Sequence, residues 1–211
     1  MPVTPVRCAW AHSALSIPYH DTEWGTPEHD DAVLFEFLVL EGAQAGLSWE
    51  TILAKRERYR TVFKNFEAEQ VAKFGARDVT RLMGDAGIVR NRAKILAAID
   101  NAQAVLSIAA EFGSLDAYLW AYVDHTPIVN ARGDLADIAT TTPLAERLSK
   151  DLRARGCRFV GPTIMYAFMQ AVGLVNDHVT SCFRYRELLK KTKATSAAGS
   201  ARSRHPGRSR A

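Results

Sequence analysis

The sequence predicts an all-α domain, and three observations carry that prediction. Apolar residues recur at helical spacing along most of the chain, and capping residues and breakers bracket those stretches. No alternating strand pattern runs for more than a few residues, and there is no internal repeat. With 211 residues, 47% of them hydrophobic, the chain suits one compact domain over residues 1–189, with room for two lobes.

Asp30 and Asp31 can cap a first helix whose apolar positions include Val33, Leu34, Phe37, Leu38 and Leu40, running toward Gly46. Ser48 caps the next, Trp49 to about Phe63, which carries the basic run Lys55, Arg56, Arg58 and Arg60. Short helices cover Ala68–Phe74 and Arg77–Met83, broken at Gly84 and Gly87. A longer one starts near Asn91, with Ile95, Leu96, Ile99, Val105 and Leu106 at helical spacing. Ser114 caps another through Val123, and Asp124–Thr141 is less regular. Thr142–Pro143 supplies a cap and a first-turn proline, and Gly156 ends that helix. Pro162 opens the next, to about Gly173, and a last helix spans roughly His178–Leu189.

The net charge of +4 belongs to the end of the chain. Residues 190–211 hold three Lys and four Arg with no acid, so residues 1–189 carry −3. That stretch is rich in Ser, Ala, Gly and Arg and reads as a disordered tail, able to add sequence-blind affinity for phosphates or simply solvated. Met1–Arg7 is neither long nor apolar enough for a signal peptide, and no apolar run approaches about 20 residues, so no membrane span is expected. Cys8, Cys157 and Cys182 suit no disulfide framework and point to a reducing cytoplasm.

Three groups of residues bear chemistry. His178 and Cys182, four apart in a segment read as helix, share a face, and Cys8 and His20 could complete a Cys2His2 metal site. Buried cysteines and core histidines are the slightly better reading of spacing alone. Arg158–Thr163 forms a Gly-Pro turn between two helices. It could present backbone N–H groups to a phosphate, or be a plain helical hairpin. Arg147, Lys150, Arg153, Arg155 and Arg158 surround that turn. Glu41 follows the apolar run Leu38–Leu40 and precedes the small residues Gly42–Gly46. With Tyr19 and Trp49 it could hold a flat cationic ring, unless the aromatics are core and Glu41 is exposed.

Taken together, several blocks resemble the 3-methyladenine DNA glycosylase I family. They are Arg7–Trp10, Tyr19–Gly25, Leu40–Gly42 with Gly46–Trp49, Asp85–Ile88, Phe159–Thr163 and Gly173–His178, in order across residues 7–185. The resemblance implies a helix–hairpin–helix DNA glycosylase fold, in which one structural zinc held by Cys8, His20, His178 and Cys182 joins the N- and C-terminal segments. It implies Glu41 as the base-recognition and catalytic carboxylate. Tyr19 and Trp49 would stack on the flipped base, and Trp10 and Trp24 would line or buttress the pocket. Leu47 would be the wedge entering the duplex, and Gly161 and Thr163 would help hold the DNA backbone. The implied partner is double-stranded DNA containing 3-methyladenine, bound by a cytoplasmic monomer that meets the nucleoid through its substrate. Three cysteines cannot supply the four-cysteine iron–sulfur cluster of many endonuclease III relatives.

Two departures stand out. Ser16 takes a place where an aromatic wall residue is expected. Asn176 aligns where most of the wider superfamily has a catalytic aspartate, and Asp177 is one position out of register. Methylation at N3 already makes the base a good leaving group, so extrusion and recognition can carry most of the chemistry. No Lys lies in Val160–Asn176 to form a Schiff base, which implies hydrolysis without a lyase step.

Overall fold

The computed structural model describes residues 5–190, and the expected basic tail lies beyond all of these but its first lysine. Among them the chain is helical in the order α1 (Ser16–Thr22), α2 (Asp31–Gln44), α3 (Trp49–Val62), α4 (Ala68–Val71), α5 (Ala76–Met83), α6 (Arg92–Phe112), α7 (Leu115–Trp120), α8 (Pro143–Ala154) and α9 (Pro162–Ala171). A further helix, α10, covers residues 183–190. The caps act as their residue types dictate. Asp30 accepts from the N–H groups of Ala32 and Val33, Ser48 from Thr51, Asn91 from Lys94, Ser114 from Ala117 and Thr142 from Ala145.

Helix α2 is the central element. Every residue from Leu34 to Ala43 is buried, Glu36 and Glu41 included. A helix buried on all sides has no solvent face on which to place a carboxylate. It packs against α3, α6, α7 and α9. Helix α6 would be long and apolar enough to cross a membrane by length and composition alone. Its inward face instead fills the core with Ile95, Ile99, Ala102, Val105 and Ile108, while Lys94 and Asp100 make polar contacts.

Two expectations need correction. A two-residue parallel pair, β1 (Ile128–Val129) with β2 (Val175–Asn176), sets Ile128 opposite Val175 and Val129 opposite Asn176. It pins the irregular stretch after α7 to the segment that follows α9. The last helix begins at residue 183, so His178 and Cys182 are not on a helix; residues 177–179 have no regular structure and 180–182 form a turn. Their four-residue spacing works through that turn.

The turn after α9 packs against the stretch after α1. Gly25 donates to the Gln170 carbonyl (3.0 Å) and Glu28 to that of Val172 (3.1 Å). Gly173 has φ +73°, and a Cβ there would lie 2.3–2.4 Å from the Thr26–Pro27 backbone. Gly173→Ala is therefore expected to lower unfolding stability by several kcal/mol in urea titration, where Gly113→Ala costs roughly 1–2 kcal/mol. Gly113 also has positive φ (93°), but nothing lies within 4 Å of its added Cβ. Equal costs would show that the contact at Thr26–Pro27 is not rigid.

Candidate functional site

Cys8, His20, His178 and Cys182 converge, all four buried, with their donor atoms within 4.8 Å of one another. His178 presents Nδ1 to Cys8 Sγ (3.5 Å) and Cys182 Sγ (3.6 Å), and His20 presents Nε2 to Cys182 Sγ (3.4 Å). The far nitrogens are held as well. His178 Nε2 bonds the Trp24 carbonyl (2.9 Å), and His20 Nδ1 bonds Asp21 Oδ1 (2.8 Å). Asp21 is gripped in turn by Arg7 through Nε and Nη2 (2.7–2.9 Å), which holds its carboxyl below the usual carboxylate range. Partners of this kind fix ring orientation at metal sites. The cluster can hold a metal ion. Arg7 and Asp21 were not singled out as site residues, although each adjoins a predicted ligand.

Aromatic rings fill the space beside the cluster. Trp24 meets His178 edge-on at 4.6 Å and Trp10 at 5.1 Å, and Trp10 lies 5.2 Å from His20. Both tryptophans thus buttress the histidines. Tyr19, on α1 beside His20, is 5.4 Å from Trp49 with the planes 48° apart, and 6.1 Å from Trp10. Burial pushes the Tyr19 hydroxyl well above its ordinary value, and the charge of Glu41 adds to this.

Glu41 is 5% exposed, and no hydrogen bond reaches its carboxyl from the described residues. Burial alone pushes its pKa up to about 8. Trp49 Nε1 is likewise buried without a partner. Other charges in this region are neutralised. Arg56, part of the basic run seen in the sequence, is buried between Glu36 (2.6 Å) and Glu23 (2.7 Å), with its guanidinium 4.9 Å from the Phe37 ring. One nitrogen of Arg56, Nη2, is also buried without a partner, as Trp49 Nε1 is.

The turn between α8 and α9 lies against the same helix. A Cβ on Gly42 would come within 3.1 Å of Phe159 Cβ and 3.2 Å of its carbonyl oxygen, so glycine lets the turn approach α2 directly after Glu41. Asn101 of α6 donates to the Arg158 carbonyl (3.1 Å) and accepts from its N–H (2.7 Å), and Ser149 donates to the Val160 carbonyl (2.6 Å). Phe159 has φ +54°, in the left-handed region. Thr163 is exposed in the first turn of α9, where N–H groups lack helical partners. Of the surrounding cations, Arg155 pairs with Glu111 and Arg158 with Asp100, while Arg147 lies over Tyr122. Lys150 and Arg153 are exposed and make no ion pair among the described residues. Leu47, before α3, is 41% exposed, which is unusual for a leucine.

Asp177 is fully buried and receives Tyr166 and Gln170 on one oxygen (2.5 and 2.7 Å) and Asn130 and Arg132 on the other (2.7 and 3.5 Å). That carboxyl is occupied by protein donors. Asn176 accepts from the His178 N–H (3.2 Å), and its Nδ2 is buried without a partner.

The chain is thus an α-helical protein that brings its two ends together at a four-donor cluster and buries a carboxyl without a hydrogen-bond partner among the described residues, its charge acting on Tyr19. The methyladenine glycosylase family model matches residues 10–185. The DNA-3-methyladenine glycosylase 1 of Escherichia coli (strain K12) is 49% identical over 180 residues, 85% of this chain and 96% of that protein. A crystal structure of 3-methyladenine DNA glycosylase I superposes with a TM-score of 0.82 at 48% identity, over 84% of this chain and 98% of that one. A second, of a variant in complex with 3-methyladenine, gives 0.82 at 39% identity, over 84% and 96%. The chain belongs to the methyladenine glycosylase family.

Replacing a cluster ligand should act on the fold before anything else. Cys182→Ser is expected to abolish stoichiometric metal binding, read by elemental analysis, and to lower the thermal midpoint by several degrees. Unchanged metal content would remove Cys182 from the ligand set.

Proposed function

We propose that this chain flips 3-methyladenine out of double-stranded DNA and hydrolyses its N-glycosyl bond, leaving an abasic site without a lyase step. The observation that carries the proposal is Glu41, a buried carboxyl with no hydrogen-bond donor among the described residues, whose charge acts on Tyr19, a ring 5.4 Å from Trp49 and 6.1 Å from Trp10. The crystallised relative bound to 3-methyladenine supports the same substrate here.

The chemistry follows from charge. A 3-methyladenine nucleotide is cationic, so its C1′–N9 bond breaks with the electron pair passing to the base, which leaves neutral. Water forms the new bond at C1′ and gives its proton to solvent. Tyr19 and Trp49 flank the extruded ring, and stacking of this kind contributes about 1–3 kcal/mol. Glu41 accepts from the exocyclic amine, selecting adenine over guanine, whose carbonyl would meet an acceptor. Trp10 and Trp24 hold this wall against the cluster. Asp177, filled by its own donors, is left out of the chemistry, and Asn176 stands where an aspartate drives related reactions.

Outside the pocket, Leu47 enters the space vacated in the duplex. Gly161 and Thr163 present the start of α9 to a phosphate in the manner of a helix–hairpin–helix element, with Lys150 and Arg153 as nearby free cations. The Cys2His2 set fits one structural zinc. Ligand lengths of about 2.3 Å to sulfur and 2.0–2.1 Å to nitrogen give tetrahedral S–N edges of roughly 3.6 Å. The sulfur–nitrogen separations are 3.4–3.6 Å. Four protein ligands leave no position for water, so the ion would close the fold and take no part in hydrolysis. The enzyme acts as a monomer in the cytoplasm, where its free cysteines stay reduced.

Glu41 also sets the pH dependence. Its pKa near 8 keeps it protonated in the free protein at neutral pH, and a cationic base favours the ionised form. Excision should therefore rise with pH toward 8 and level off above it. Because the folded pKa exceeds the unfolded one, the stability penalty is absent below about pH 4.3 and grows as pH rises to 8. At pH 8 it is on the order of 4 kcal/mol. Glu41→Gln is thus expected to lower kcat/KM on methylated DNA about 10- to 100-fold while raising the thermal midpoint at pH 8. Retained activity with an unchanged pH profile would contradict the proposed role.

A further inference from the structure

Tyr19 and Trp49 lie on different helices, and Trp49 has no hydrogen bond of its own to hold it, since its Nε1 is buried without a partner. The separation of the two rings is therefore inherited from the helices that carry them. Trp49 is the first residue of α3, and Tyr19 lies one turn into α1. One hydrogen bond joins the starts of these helices: Ser13 Oγ donates to Glu50 Oε1 at 2.5 Å. Glu50 directly follows Trp49, and Ser13 is tied to the first turn of α1.

That tie is redundant on the α1 side. Ser13 Oγ accepts from the N–H groups of Leu15 (3.1 Å) and Ser16 (2.9 Å). Its single proton goes to Glu50, and its oxygen lies 2.9 Å from the Ser16 hydroxyl. Ser16 Oγ in turn accepts from the backbone N–H groups of His12 (3.2 Å) and Ser13 (2.9 Å), and Ser16 is 3% exposed. The residue that stands where an aromatic wall is expected is thus joined by its hydroxyl to Ser13, which reaches Glu50. A ring at position 16 would remove the three bonds of the Ser16 hydroxyl.

We infer that Ser13 and Glu50 are positioning residues, whose hydrogen bond sets the spacing of Tyr19 and Trp49 and so the fit of the base between them. The inference rests on the reading above, that these two rings hold the base. The test is the affinity of the intact, metal-loaded protein for free 3-methyladenine, measured by quenching of tryptophan fluorescence, with thermal midpoint and metal content followed in parallel. Ser13→Ala and Glu50→Ala are each expected to weaken binding about 5- to 10-fold. The double variant should be no weaker than the worse single one, because both remove the same bond. Ser13→Thr and Glu50→Gln keep the donor and the acceptor and should bind within about 2-fold of the parent protein. A merely structural role would lower the midpoint in step with affinity and would not be rescued by Gln.

Parent-like affinity in Ser13→Ala, additive losses in the double variant, or a loss in Glu50→Gln equal to that in Glu50→Ala would each overturn the inference. Trp49→Ala and Glu41→Gln separate it from the reading beneath it. If they bind as the parent does, the base site is elsewhere and the positioning role falls with it. If they lose binding while Ser13→Ala and Glu50→Ala do not, the positioning role alone is wrong.

Discussion

Cys8 and His178 are 170 residues apart in sequence, yet their donor atoms meet at 3.5 Å. A metal ion held there would close a loop of that length and remove roughly 5 kcal/mol of unfolded-state entropy by the chain-entropy measure used for disulfides. The cluster does more than join the two ends. His20 adjoins Tyr19 on α1, His178 bonds the Trp24 carbonyl, and Trp24 and Trp10 pack against the histidine rings. Closing the chain therefore also places one wall of the site, and the position of α1 depends on it.

The opposite wall comes from α2, and there the structure accepts a cost. A carboxyl on a helix buried from Leu34 to Ala43 has no water and, at Glu41, no protein donor. Its neighbour in the same helix, Glu36, is paired with Arg56 and Arg60. Two buried acids five residues apart are thus treated differently, one neutralised by arginines and one without a hydrogen-bond partner among the described residues. Violations of polar satisfaction concentrate where function needs them. Gly42 completes the arrangement by letting the α8–α9 turn lie against α2 next to Glu41.

Much of this was legible in the sequence. Asp30, Ser48, Asn91, Ser114 and Thr142 cap as their side chains and positions dictate, and the helices they open lie within a few residues of expectation. The meeting of Cys8, His20, His178 and Cys182 was implied by resemblance to a family, and spacing alone left it open. Indeed the local argument for His178 and Cys182 was wrong, since they sit in a turn ahead of α10 and converge there by tertiary contact. The pair β1–β2 is too short to leave a periodic signal. The burial of Arg56 was hidden because charge spacing on a helix does not reveal which neighbour supplies Glu36 and Glu23. Ser16 was visible only as a missing ring; its hydroxyl bonds to Ser13 arise from the loop ahead of α1, which sequence periodicity cannot describe.

Selection of adenine methylated at N3 by the buried Glu41 carboxyl is a proposal that one assay decides: incubating the protein with alkylated double-stranded DNA and identifying the released bases by chromatography. Release of 3-methyladenine with 7-methylguanine left in the DNA is expected. Release of 7-methylguanine at a comparable rate, or of no base at all, would contradict it.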